Sequence, residues 1–159
     1  MTETKAAVAI VYGSPTDEDL VMACGKVLDH FGVAYESSQL SAHRDPVGTA
    51  SYADGARGRG IKVLIGIAGM AAHLAGALAA RSTLPVIGVP AKGPALDGLD
   101  ALLSTVQMPA GVPVATVAIG SAGAKNAALL AVQMIAIGDA ELAKRVEEFK
   151  REQARKKVL

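Results

Sequence analysis

Apolar runs and polar breaks alternate along the whole chain. AAVAIVY (6–12), IKVLIGIA (61–68), LPVIGVP (84–90) and ATVAI (115–119) are short runs rich in Val and Ile, as expected of parallel strands covered on both faces. VAYESSQL (33–40) has the same length but is less apolar. Between the runs the period changes. After GSPTDED, Leu20, Cys24, Val27 and Phe31 recur at helical spacing, and Gly32 ends that helix. Pro46 starts a second helix that reaches about Arg59, where Gly60 stops it. An Ala-rich third helix is predicted at about 71–81, a short fourth near 98–106 and a fifth at 122–137. Asp139 caps a last helix that carries Leu142, Val146 and Phe149 on one face. AKGPALDG (91–98) and QMPAGVPV (107–114) read as long loops.

Strands that alternate with helices imply a parallel sheet with helices on both sides, a doubly wound α/β domain. The expected layout is one catalytic domain over 1–159, with a core at about 6–137 and a C-terminal helix at about 139–155. Ligands of such folds bind beyond the carboxyl ends of the strands. The loops at 13–17, 41–46, 68–74 and 90–98 all follow strands, so all are able to share that edge.

Composition narrows the picture. Hydrophobic residues make up 51% of the 159 residues and aromatics only 3%, with no tryptophan, so the interior is built from Ala, Val, Leu, Ile and Met. That leaves apolar surface suited to burial between subunits. A net charge of +1 gives no nucleic-acid footprint. Seven basic and three acidic residues lie between Lys144 and Lys157, with the signs mixed as on a solvated helix face. The lone Cys24 excludes an internal disulfide and fits a reducing compartment. MTETKAAVAIVYG lacks a signal-peptide layout, and the uncharged stretch 63–80 divides into strand, loop and helix rather than forming a membrane span.

Three loops carry candidate chemistry. In GSPTD (13–17), Gly13 permits a tight turn, Ser14 and Thr16 offer hydroxyls beside helix-start N–H groups that cradle anions, and Asp17 can accept from sugar hydroxyls. The plainer reading is a helix cap. In SAHRDP (41–46), Ser41, His43 and Arg44 follow the second strand. A guanidinium grips phosphate with a planar fork, and an imidazole moves protons near neutral pH. Asp45-Pro46 is read as a helix start, and His43 as either a shuttle or a loop histidine satisfied by backbone. In GIAGMAAHLAG (66–76), Gly66 and Gly69 permit close approach of a ligand, and His73 stands in the first turn of an apolar helix. A lone histidine there is ordinarily a core residue, but it shares a sheet edge with His43. There is no Walker A sequence, no GxGxxG and no Cys/His metal cluster, and the buried setting of Cys24 argues against a nucleophile.

These segments, with LPVIGVP, DGLDALLSTVQMPAGVPVAT and AKNAALLA, resemble the class I N5-carboxyaminoimidazole ribonucleotide mutases of purine biosynthesis, the PurE family, from about residue 7 to residue 155. The resemblance implies a flavodoxin-like three-layer (αβα) sandwich, a cytoplasmic homo-octamer, no membrane or nucleic-acid partner, and no metal, ATP or organic cofactor. It implies transfer of a carboxylate from N5 to C4 of an imidazole ribotide through enclosed CO2. By that similarity His43 and His73 are catalytic, with His43 the general acid/base at C4. Gly13, Ser14, Thr16, Asp17 and Arg44 bind phosphate and ribose, Ser41 and Ala42 line the pocket, and Gly69, Ala72, His73 and Leu74 close it. The QMPAGVPV loop is expected against a neighbouring subunit. The chain departs from the family's GSxSD, SAHRTP and GAGGAAHLPG at Pro15-Thr16, Asp45, Ile67, Met70 and Ala75. Pro15-Thr16 also occurs in class II enzymes, which carboxylate aminoimidazole ribonucleotide with CO2 directly; Arg44 and Ala72-His73-Leu74 stand against that class. A non-catalytic ribotide-binding module on the same fold is the alternative outside enzymes.

Overall fold

The computed structural model describes residues 5–155, so residues 1–4 of the N-terminal stretch and the basic pair Lys156 and Lys157 lie outside it. Five strands form one fully parallel sheet: β1 (Val8–Tyr12), β2 (Tyr35–Gln39), β3 (Val63–Ala68), β4 (Val86–Pro90) and β5 (Ala115–Thr116). Their order is β2-β1-β3-β4-β5, the order of a flavodoxin-like sheet. The helices are α1 (Glu18–His30), α2 (Pro46–Arg59), α3 (Leu74–Arg81), α4 (Leu99–Val106), α5 (Ser121–Ala136) and α6 (Ala140–Arg155).

The period of two in the strands divides the core. Val8, Ile10, Ile65, Ile67, Ile87 and Val89 face α1 and α5, with Leu142 and Phe149 of α6 closing that side. Ala9, Val11, Leu64 and Val86 face α2 and α3. The result is three layers, with α1 packed on α5 and the predicted small-residue interior visible in Ala124, Ala127, Ala128 and Ala131, all fully buried. Leu142, Val146 and Phe149 form the inner face of α6, and the Asp139 side chain accepts from the Leu142 N–H as its cap.

One row across the sheet fixes the site's geometry. Gly66 and Gly88 are register partners on β3 and β4. A Cβ at Gly66 would stand 3.0 Å from the Ala75 Cα, and one at Gly88 would overlap the Thr105 side chain. Gly66 therefore lets α3 sit close on the sheet rather than admitting a ligand, which corrects the expectation from sequence. Two predicted lengths also change. β5 stops at Thr116 instead of residue 119. Val117 N–H still bonds to Gly88 C=O, but the next donor in the parallel ladder is residue 90, and Pro90 has no N–H. Helix α3 begins at Leu74 rather than near 71, because Met70 adopts the left-handed region with φ 56° and breaks the helical path.

Candidate active site

All four loops named from sequence meet in one cleft of about 480 Å³ at the carboxyl edge of the sheet. The volume suits a small ligand such as a nucleotide. The first loop is pinned by Gly13 N–H to Ile67 C=O, 3.0 Å, which ties the end of β1 to β3. Ser14 then caps a short 3-10 turn, Pro15–Asp17, that precedes α1; its Oγ accepts from Thr16 N–H at 3.3 Å and from the Thr16 hydroxyl at 2.9 Å. Capping and lining are compatible here, since Gly13, Ser14, Thr16 and Asp17 all border the cleft.

Asp17 is only 7% exposed. Burial raises its carboxyl above the usual range, an effect partly offset by a backbone hydrogen bond with Ser14. It is therefore a largely desolvated hydrogen-bonding group on the cleft wall.

The second loop is a tight turn between β2 and α2. Asp45 N–H bonds to Ser41 C=O at 2.8 Å and Arg44 N–H to Ser41 Oγ at 3.3 Å. Asp45 caps α2 through Gly48 N–H at 2.8 Å, with Pro46 in the first turn, as the sequence indicates. The turn leaves Ser41, Ala42, His43 and Arg44 on the cleft wall, with His43 and Arg44 exposed.

The third loop brings the second imidazole. Ala72 N–H bonds to Met70 C=O at 2.9 Å and His73 N–H to Ala71 C=O at 2.7 Å, two successive tight turns. They deliver His73 to the N-cap position of α3, one residue before the helix rather than inside its first turn. From there its Nδ1 lies 2.6 Å from Nε2 of His43, and the rings meet edge to face at 80°. Two ring nitrogens this close share one proton, so one donates and the other accepts. His73 is exposed, not a core histidine.

Gly69 and Leu74 also line the cleft, but Ala72 does not: it is 3% exposed and contributes its N–H to the turn. Met70, which stands out in the sequence as a bulky departure from the family motif, lines the cleft, and the wall also includes Ala68, Ala71, Lys92, Gly93 and Pro94, which residue types alone do not single out. For the last three, the signal was the fourth loop's place after a strand. Lys92 pairs with Asp97 at 3.0 Å, which balances its charge, whereas Arg44 borders the same cleft and has no salt bridge among the described residues.

Cys24 takes no part. It is fully buried, its Sγ contacts Ala124 C=O at 3.0 Å, and burial pushes its thiol up to about 12. Among the described residues no group of three or more His, Cys, Asp or Glu gathers in metal-binding fashion, and no helix is long and apolar enough to cross a membrane.

The AIR carboxylase family profile matches residues 7–156. The N5-carboxyaminoimidazole ribonucleotide mutase of Bacillus subtilis is 51% identical over 152 residues, covering 96% of this chain and 93% of that protein. The enzyme of the same name from Pyrococcus horikoshii is 47% identical over 156 residues, covering 98% and 87%. The crystal structure of Treponema denticola PurE matches with a TM-score of 0.84 at 28% identity, covering 93% of this chain and 91% of that one.

Proposed function

The chain belongs to the AIR carboxylase family, and on that premise we propose that it is an N5-carboxyaminoimidazole ribonucleotide mutase, an isomerase of purine biosynthesis. The observation that carries the mechanism is the 2.6 Å contact between His43 and His73 inside the cleft. The reaction needs one proton delivered and one removed, with no net change, and a pair of imidazoles sharing one proton supplies both.

In this reading Arg44 and the Ser14 hydroxyl hold the ribotide phosphate, at the turn that Gly13 opens. Asp17 accepts from the ribose, and Thr16, Ser41 and Ala42 shape the wall between them. The imidazole then lies by the histidine pair, with Gly69 and Leu74 at its side. The N5–carboxylate bond breaks with its electron pair passing to N5, which takes a proton, and CO2 is set free. C4 attacks that CO2, and His43 removes the C4 proton to restore the aromatic ring. His73, hydrogen-bonded behind His43, holds the ring and the proton it exchanges. The scheme uses no metal, ATP or organic cofactor.

A homo-octamer is part of the proposal. Leu96, Leu99, Leu103 and Val106 are 48–57% exposed in and before α4, an apolar surface that subunit contacts would cover together with the 107–114 loop. A cytoplasmic location fits the free thiol of Cys24.

A two-substrate assay tests the reading. One arm supplies N5-carboxyaminoimidazole ribonucleotide, the other aminoimidazole ribonucleotide with dissolved CO2, and both follow the C4-carboxylated product, corrected for spontaneous reaction. Efficient turnover in the first arm alone is expected. Efficient turnover in the second arm alone would overturn the mutase reading in favour of direct carboxylation. Binding without turnover in either arm would leave a ribotide-binding module.

A further inference from the structure

The cleft contains a residue that the fold gives no reason to keep. Met70 sits at φ 56°, a conformation that glycine adopts freely and a side chain resists. The mutase motif to which the third loop is similar usually has glycine at this position. Packing does not explain the methionine, because Met70 is 61% exposed.

Its surroundings do. Where the third and fourth loops face each other the cleft is lined by Gly69 and Gly93, which contribute no side chain, beside Met70, Ala71, Lys92 and Pro94. A Cβ at Gly69 would lie 3.5 Å from the Ala91 and Lys92 carbonyls, so the two loops already run close together there. A Cβ at Gly93 would lie 3.4 Å from the Met70 Cγ. The Met70 side chain thus leaves the third loop and approaches the fourth at Gly93, adding bulk beside the two glycines. Three residues further on, His73 meets His43.

We propose that Met70 is a retention residue: its side chain narrows the cleft that also holds the histidine pair and keeps the CO2 released from N5 there until C4 captures it. The proposal rests on the mutase reading and names the part of the site that separates internal transfer from exchange with solution. A thioether suits the task. It is apolar, unbranched and adaptable, and it brings no strong hydrogen-bonding group that would draw water towards the intermediate. The chemistry is redox-neutral, and CO2 either forms the new bond to C4 or diffuses out, leaving aminoimidazole ribonucleotide behind. Met70 biases that choice without touching the proton transfers.

The experiment measures the choice directly. Purified full-length protein converts unlabelled N5-carboxyaminoimidazole ribonucleotide in buffer equilibrated with 13C-labelled CO2 and bicarbonate. Mass spectrometry reads the label in the C4-carboxylated product and the fraction of aminoimidazole ribonucleotide released, corrected for spontaneous decarboxylation. Wild type is expected to incorporate little label. M70G is expected to convert substrate while incorporating at least about threefold more label and releasing more aminoimidazole ribonucleotide, and M70L to restore retention. Equal label in wild type, M70G and M70L would overturn the proposal, as would complete exchange in wild type. M70A provides the same comparison with the Cβ kept, should M70G fold poorly. Failure of wild type to convert the substrate is a separate result that would overturn the mutase reading itself, and the retention role with it.

Discussion

His43 Nε2 and His73 Nδ1 lie 2.6 Å apart although thirty positions separate them in the chain. One residue lies in the turn between β2 and α2 and the other at the N-cap position of α3 after β3, so two crossovers of a parallel sheet deliver both rings to one point. If this pair carries the protons, the two residues act as a unit. His43→Asn is expected to lower kcat by roughly 10²–10⁴ with a change in KM of no more than a few-fold. His73→Asn should cost less, and it removes no side-chain cap, since His73 makes none to α3. The double variant should be no slower than His43→Asn alone. Steady-state kinetics on the three proteins decide it, and additive losses would show that the histidines act separately.

Arg44 is exposed on the cleft wall and proposed to grip phosphate. A charge-assisted hydrogen bond of about 1.5–3 kcal/mol predicts a rise in KM of roughly 10- to 100-fold for Arg44→Ala, with kcat changed much less. Arg44→Lys should recover only part of the loss, since an ammonium lacks the planar fork. Raising the salt concentration should weaken binding by wild type more than by Arg44→Ala. A KM unaffected by either substitution would remove Arg44 from the site.

Burial raises the pKa of Asp17 above its usual value near 3.8. In the folded protein the carboxyl therefore binds protons more readily than in the unfolded chain. Its contribution to stability is fully present below pH 3.8 and is lost as pH rises through the folded pKa. Asp17→Asn removes the charge, so it should raise the unfolding midpoint at pH 7 and have progressively less effect towards pH 3.8, while KM rises because one acceptor is lost. Thermal melts from pH 3 to pH 7 measure this. A stability difference independent of pH would contradict it.

Gly66→Ala introduces a methyl 3.0 Å from the Ala75 Cα. Overpacking of this kind costs about 1–3 kcal/mol. It should also lower kcat, because α3 carries His73 at its N-cap and has to move away from the sheet. Ala75→Gly in the same chain removes only the methyl 3.1 Å away and leaves the backbone contact, so it should return little of the activity. Loss of stability with unchanged kcat would separate the seating of α3 from the histidine contact.

Met70→Gly removes a side chain from a left-handed backbone position and is expected to stabilise the fold by about 1 kcal/mol, offset in part by the freedom glycine adds to the unfolded chain. For a protein of this size that is roughly 2–4 °C in Tm. A scan showing no gain would mean that Met70 packs better than its exposure indicates. Higher stability together with greater exchange of CO2 is the pattern expected of a residue retained for the site.

The sequence by itself determined the layers and the edge. Alternating apolar runs and helical stripes are local, repeated signals, and burial on both faces leaves a parallel sheet little freedom of register. Loops that follow strands lie at the carboxyl end, so GSPTD, SAHRDP and GIAGMAAHLAG were legible as one cleft before any distance was known. The tertiary structure decided the rest. Pro90 shortens β5 because its missing N–H belongs to a ladder formed with a strand distant in sequence. Gly66 and Gly88 acquire their purpose only when register places them side by side under Ala75. His73 reaches His43 because a left-handed turn at Met70 delays α3, and Ala72 turns inward for the same reason. Lys92, Gly93 and Pro94 join the wall through the neighbouring position of β4, since their residue types announce no chemistry. Periodicity reports how each segment meets the core. Which loop residues meet each other depends on strand order and backbone handedness, and only the folded chain fixes those.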